Sequence, residues 1–157
     1  MFIDYLGKPK IFQSHLRFRH KFFLTIKGDT MNQNTNALNW FDIPVENMNR
    51  AKTFYETIFK IEMPVNDMME MKMAFFPFEM ANGKVSGGLV ESKMRKPGDS
   101  GAIIYLNADP DLQQILDRVG PAGGKILMPK TQVTPEIGFM AMFEDTEGNQ
   151  QGLHSNG

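Results

Sequence analysis

Phe143-Glu-Asp-Thr-Glu-Gly-Asn-Gln-Gln-Gly-Leu-His-Ser155 is a strand end, a tight turn and a final strand, and it closes the second copy of a pattern that the chain contains twice. The first copy opens with Leu38-Asn-Trp-Phe-Asp-Ile-Pro-Val45 and continues into a helix carrying Arg50-Ala-Lys-Thr-Phe-Tyr55. The second opens with Ala102-Ile-Ile-Tyr-Leu-Asn107 and continues into a helix carrying Asp111-Leu-Gln-Gln-Ile-Leu-Asp-Arg118. Each copy reads as strand, helix, strand, strand, strand. The expected class is therefore α+β: two βαβββ modules, residues 37–92 and 101–157, within one domain over residues 36–157. One such unit leaves a sheet face that it cannot bury alone, so two copies have to cover each other, and the hollow between them is the first place to look for a site.

Within the first module, Asn39 to Val45 alternates, with Phe41, Ile43 and Val45 on one face and Trp40, Asp42 and Pro44 on the other. Asn47 is a helix N-cap, and Ala51, Phe54, Tyr55 and Phe59 recur at helical spacing, predicting an amphipathic helix over Met48–Phe59. Strands are expected at 61–65 and 71–78 around a turn at Asn66-Asp67, and at 85–91 after the hairpin signal Asn82-Gly83. In the second module the expected strands are 102–107, 125–128, 139–144 and 150–155, with a helix from Asp111 to Val119 stopped by Gly120-Pro121 and a loop at Pro129-Lys-Thr131. Ser92 to Ser100 is a polar connector.

Composition excludes several classes. A net charge of −1 and a pI near 6.3 give no global reason to expect nucleic acid or an anionic membrane as partner. With no cysteine there is no disulfide, thiolate metal site or thiol nucleophile. No apolar run approaches the roughly 20 residues of a membrane span, and a cytoplasmic home is expected. Residues 1–35 stand outside the repeat: Lys8, Lys10, Arg17, Arg19, Lys21 and Lys27 face only Asp4 and Asp29, and the polar run Asn32-Gln-Asn-Thr-Asn36 follows. These residues are read as a basic, disordered extension, with Met31 as the natural start. Phe22-Phe-Leu-Thr-Ile26 is too short for a secretory core, and the cations are scattered rather than clustered as in a nucleic-acid-binding arm.

From Ala37 to Ser155 the chain resembles the vicinal oxygen chelate superfamily, which includes glyoxalase I, the bleomycin and fosfomycin resistance proteins and the extradiol dioxygenases. The resemblance is carried by Val45-Glu-Asn-Met-Asn-Arg-Ala-Lys-Thr-Phe-Tyr55, Ala122-Gly-Gly-Lys-Ile-Leu127 and Glu144-Asp-Thr-Glu-Gly-Asn149, in order and at the right spacing. It implies an eight-stranded, cup-shaped site built from both modules and a tendency to form homodimers. It also implies a divalent metal held by His, Glu or Gln from the first, fourth, fifth and eighth strands, ligands that leave open positions for a substrate's paired oxygens. Here those positions align with Trp40, Gly87 (or Gly88), Ile103 and Gly152, none of which binds a hard or borderline metal. No metal cofactor is expected, although Asp42, Glu91, Glu144 and His154 are the material from which a displaced site would have to be built.

Alternation outward from Trp40 and Gly152 gives the expected lining of the cup: Trp40 and Asp42, Leu89 and Glu91, Ile103, Tyr105 and Asn107, Gln150 and His154. An apolar, aromatic pocket with a few polar tips is the composition of a small-molecule site. Trp40 either stacks on a ligand or fills the floor. An inward Asp42 needs a partner or a ligand, and His154 is a candidate partner or general base. Met68, Met69, Met71, Met73, Met140 and Met142 crowd the strands and suit either an adaptable pocket or ordinary core filling, the latter being favoured. The expected function is binding of a small, partly apolar molecule; the alternatives are a lyase or isomerase with a shifted metal, metal-free acid/base catalysis by Asp42 and His154, and a structural dimer with a vestigial cup.

Overall fold

The helix N-cap read at Asn47 anchors the first module: its side-chain oxygen accepts the Arg50 backbone N–H at 2.9 Å and α1 runs Met48–Phe59. The computed structural model describes residues 36–68, 70–79 and 84–157, and Leu38–Gly157 form one compact unit. The expectations for residues 1–35 and for the Asn82-Gly83 turn lie outside the described residues. The first module continues with β1 (Trp40–Val45) before α1, then β2 (Val65–Met68), β3 (Met71–Phe75) and β4 (Ser86–Glu91). The second is β5 (Tyr105–Asn107), α2 (Gln113–Val119), β6 (Lys125–Thr134), β7 (Gly138–Glu144) and β8 (Gln150–Ser155). Both modules are βαβββ. The eight strands divide into two sheets of four, ordered β1-β4-β3-β2 and β5-β8-β7-β6.

In each sheet the first and last strands of the module run parallel and the rest antiparallel. One face of each sheet packs under the helices. Ile43, Val45, Ala74 and Leu89 from the first sheet and Leu106, Ala141, Phe143 and Leu153 from the second join Phe54, Tyr55, Ile58, Ile115, Leu116 and Val119 from the helices in a single core. Burying each such aliphatic or aromatic side chain contributes about 1.5–3 kcal/mol. The other face of each sheet is open.

Several expected boundaries shift, the strand expected over 71–78 ending at Phe75 and the helix expected from Asp111 starting at Gln113 among them. Residues 61–64 are not a strand, because Met63 is fully buried and its N–H is held by Glu56 at 2.7 Å, which pins the chain to the end of α1. The hairpin turns at Glu70, in the left-handed region at φ 65°, while Asn66 and Asp67 pair with Met73 and Lys72 inside the ladder. The fifth strand is only Tyr105–Asn107, leaving residues 102–104 to the connector. Pro129-Lys-Thr131 is not a loop but part of β6, an edge strand whose register shifts twice between Ile126 and Thr131, where a proline costs little.

The modules are joined by the Asp145–Asn149 turn. Asp145 is buried and accepts the Tyr55 hydroxyl at 2.8 Å, the N–H groups of Glu147 and Asn149, and the Asn149 amide. Glu147, its side chain fully buried, accepts the N–H groups of Glu46 and Asn47 and pairs with Arg50 at 2.6 Å, while Glu91 accepts the Met48 N–H at 2.8 Å. A carboxylate from each module thus satisfies the free donors at the start of α1, where the helix dipole favours negative charge.

Candidate functional site

β1 presents Trp40, Asp42 and Pro44 to the open face, and the parallel register places Ser86, Gly88 and Val90 of β4 beside them. The Trp40 ring packs edge-on against Phe75 and Phe78 at centroid distances of 5.6 and 5.5 Å, and its indole N–H donates to Asp42 Oδ1 at 3.0 Å. Asp42 therefore has its partner within its own strand, and His154 is not that partner: its Nε2 lies 2.7 Å from the Ile137 carbonyl oxygen.

Two lining expectations are corrected by this register. Leu89 pairs with Ile43 and is fully buried under the helices, and Glu91 pairs with Val45 and caps α1, so neither faces the open side. Gly87 likewise belongs to the core side, since a Cβ there would meet the Phe41 ring at 2.4 Å; the open-face residue is Gly88. A shift of one residue in a strand reverses every face assignment, so the parallel register with β1 decides between Gly87 and Gly88.

On the second sheet the register β5–β8–β7 gathers Tyr105, Asn107, Gln150, His154, Met140 and Met142 on the open face. Tyr105 is half-exposed and its ring lies over Gly152: a Cβ on Gly152 would meet that ring at 2.4 Å. Asn107 accepts the Asp109 N–H at 3.0 Å. Met71, Met73, Met140 and Met142 are half-buried on the open faces and outside the core cluster, against the core-filling reading.

A cavity of about 410 Å³ opens between the modules, lined by residues 42–44 of β1, residues 95–104 of the connector and residues 149–151. Of the nine expected lining residues it brings together Asp42, Ile103 and Gln150. Trp40 adjoins it through Asp42. Tyr105, Asn107 and His154 stand farther along the open face of the second sheet and are not among the lining residues. The sequence reading missed the connector as a wall and missed Gln151. Asn149 holds the wall in place, accepting the Gly98 N–H at 3.0 Å and donating to the Pro44 carbonyl at 2.9 Å.

Electrostatically, the strong features lie at the joint beneath the cavity. Burial pushes the Tyr55 hydroxyl well above its usual range, reinforced by the Asp145 charge. Burial also pushes Glu147 up, but the Arg50 guanidinium and the N–H groups of Asn47 and Glu46 outweigh it and hold the carboxyl below its ordinary value.

At the four positions that the resemblance assigns to a divalent ion, the side chains offer no ligand. The four positions carry an indole, a hydrogen, a butyl side chain and a hydrogen: Trp40, Gly88, Ile103 and Gly152. Two positions are also sterically closed, because a side chain at Gly88 would meet the Ala74 carbonyl at 2.8 Å and the Phe75 ring at 3.0 Å, and one at Gly152 would meet Tyr105. Among the described residues no three His, Asp or Glu side chains cluster as ligands. No helix among them is long and apolar enough to cross a membrane.

Known proteins share this architecture. The chain is 33% identical over 117 residues to a glyoxylase-like domain-containing protein of Didymella fabae, covering 71% of this chain and 88% of the relative. Glyoxalase I from Zea mays superposes with a TM-score of 0.56 at 18% identity, over 75% of this chain and 44% of that one. TnmS3, an antibiotic binding protein from Streptomyces sp. CB03234, superposes with a TM-score of 0.54 at 20% identity, over 79% of this chain and 98% of that one. With the model of that family matching residues 37–151, the chain belongs to the Glyoxalase/Bleomycin resistance protein/Dioxygenase superfamily.

Proposed function

We propose that this protein binds a small, partly apolar molecule in the hollow between its modules without metal chemistry. The observation that carries this reading is the pairing of an open, aromatic and methionine-rich sheet face with donor-free residues at the four ligand positions. Trp40, Phe75 and Phe78 offer ring surface, Asp42 a carboxylate fixed by the indole, and the cavity beside them about 410 Å³ of space. TnmS3 is described as antibiotic binding, which places a binding role on this fold; at 20% identity the likeness extends to the fold alone, so the reading rests on the residues.

The enzymatic alternative, a lyase or isomerase with a displaced metal or acid/base catalysis by Asp42 and His154, gains no support from a pairing of the two: Asp42 Oδ1 takes the Trp40 indole N–H and His154 Nε2 lies 2.7 Å from the Ile137 carbonyl oxygen. Metal analysis of purified protein separates the two: one tightly held zinc, nickel, manganese or iron per chain would overturn the proposal. The binding arm is a thermal-shift screen of small aromatic and apolar compounds, followed by titration of the hit. Trp40→Ala is expected to weaken that binding by about tenfold through loss of a stacking wall, and Asp42→Asn to change its polar selectivity while circular dichroism stays native. Unchanged affinity in both variants would remove the open face of β1 from the site.

A further inference from the structure

β8 alternates: Gln150, Gly152 and His154 face the open side, whereas Leu153 and Ser155 lie on the core side with Gln151 between Phe143 and the cavity wall. Two polar residues therefore occupy core-side positions. Ser155 is satisfied, accepting the Leu112 N–H at 3.2 Å and donating to the Gly157 carbonyl at 2.6 Å. Gln151 is not: it is 5% exposed, and its amide oxygen is buried with no hydrogen-bond partner. An unmet buried amide carries a desolvation cost that folding alone does not recover, and such groups persist where something else supplies the partner.

The same residue lines the 410 Å³ cavity together with Asp42. Asp42 Oδ1 already takes the indole N–H, which leaves Oδ2 as an acceptor. Pro44, Ile103 and Ile104 add hydrocarbon to a lining otherwise made of polar side chains and backbone. The rim carries both signs, Arg95 and Lys96 against Asp42 and Asp99, so charge does not select an anion. The terminal torsion of a glutamine is soft, and nothing bonded to this amide holds it, so its oxygen can turn to the cavity.

We propose that this cavity is a subsite for a small neutral or cationic molecule carrying an N–H or O–H donor on a hydrocarbon body, with the donor received by the Gln151 amide oxygen and the Asp42 carboxylate. The proposal rests on the binding reading above and adds the chemical class of the ligand and the residue that selects it. It separates Gln151 from a structural glutamine, whose amide oxygen would be held by a partner within the protein.

The test uses the full chain and four probes that share one ring: benzamide, benzylamine, benzoate and toluene. Benzamide or benzylamine is expected to raise the melting midpoint of the wild type by several degrees, and benzoate and toluene to leave it unchanged. Gln151→Met, close in volume and without polar atoms, is expected to melt about 3 °C higher than the wild type without probe and to bind benzamide or benzylamine about tenfold more weakly. Independently of any variant, the Gln151 side-chain amide resonances should move when benzamide is titrated into the wild type. Equal stabilisation by toluene or benzoate, a lower melting midpoint of Gln151→Met, or unmoved Gln151 resonances would each overturn the Gln151 subsite while leaving small-molecule binding standing. No response to any of the four probes would overturn both.

Discussion

Tyr55 is the residue on which most depends for its size. It is fully buried, its hydroxyl donates to Asp145 at 2.8 Å, and its ring packs against Phe54, Phe59 and Phe76. Tyr55→Phe keeps the packing and removes one donor from a buried carboxylate that retains the Glu147 and Asn149 donors. The expected loss is about 1–3 kcal/mol, read as a lower urea midpoint at unchanged slope. A neutral outcome would mean that the hydroxyl is satisfied equally well by water. Asp42, by contrast, is exposed and bonded to an exposed indole, so its replacement by Asn is expected to cost little stability.

Among the elements, the turn between β7 and β8 works as a joint rather than a linker. Glu147 reaches from the second module to the start of α1 in the first, and Arg50 closes the pair. Because its folded value lies below the ordinary 4.5, the unfolded chain takes up the proton more readily. The stabilisation from Glu147 is therefore complete above the ordinary carboxylate range and is lost as the pH falls through the folded value. Glu147→Gln is expected to cost about 1–3 kcal/mol at neutral pH, with the gap to the wild type narrowing below about pH 4.5. Urea midpoints of both proteins from pH 7 to pH 3 check this, and a gap independent of pH would show that the carboxylate charge is not what holds α1.

For the whole molecule, the open faces set the expectation. Trp40, Phe78, Ile103 and Tyr105 are 36–47% exposed, and edge strand β6 exposes Ile126, Leu127 and Val133 besides. Exposed apolar surface of this extent, together with the edge strands that end each sheet, is the kind that a second copy covers. A homodimer is accordingly predicted, measured by light scattering on the eluting peak; a monomer at tens of micromolar would contradict it.

The two modules, β1, α1 and β8 were legible in the sequence because each is written in local chemistry: alternation for the strands, an Asn N-cap and a 3.6-residue stripe for the helix. What needed the tertiary structure was pairing. Ile61 and Met63 alternate like a strand until Glu56 draws Met63 into the core, and Pro129 looks like a loop until β6 proves to be an edge. Which of Gly87 and Gly88 faces the open side, and whether Leu89 lines a pocket or a core, turns on a register between strands far apart in the chain, and a pattern of period two cannot fix it from within one strand. Gln151 did leave a trace, a polar residue at a core-side position of β8. Only the packed structure could show that Ser155, its neighbour on that face, found partners and that the Gln151 amide oxygen did not, because hydrogen-bond satisfaction depends on what folding brings near.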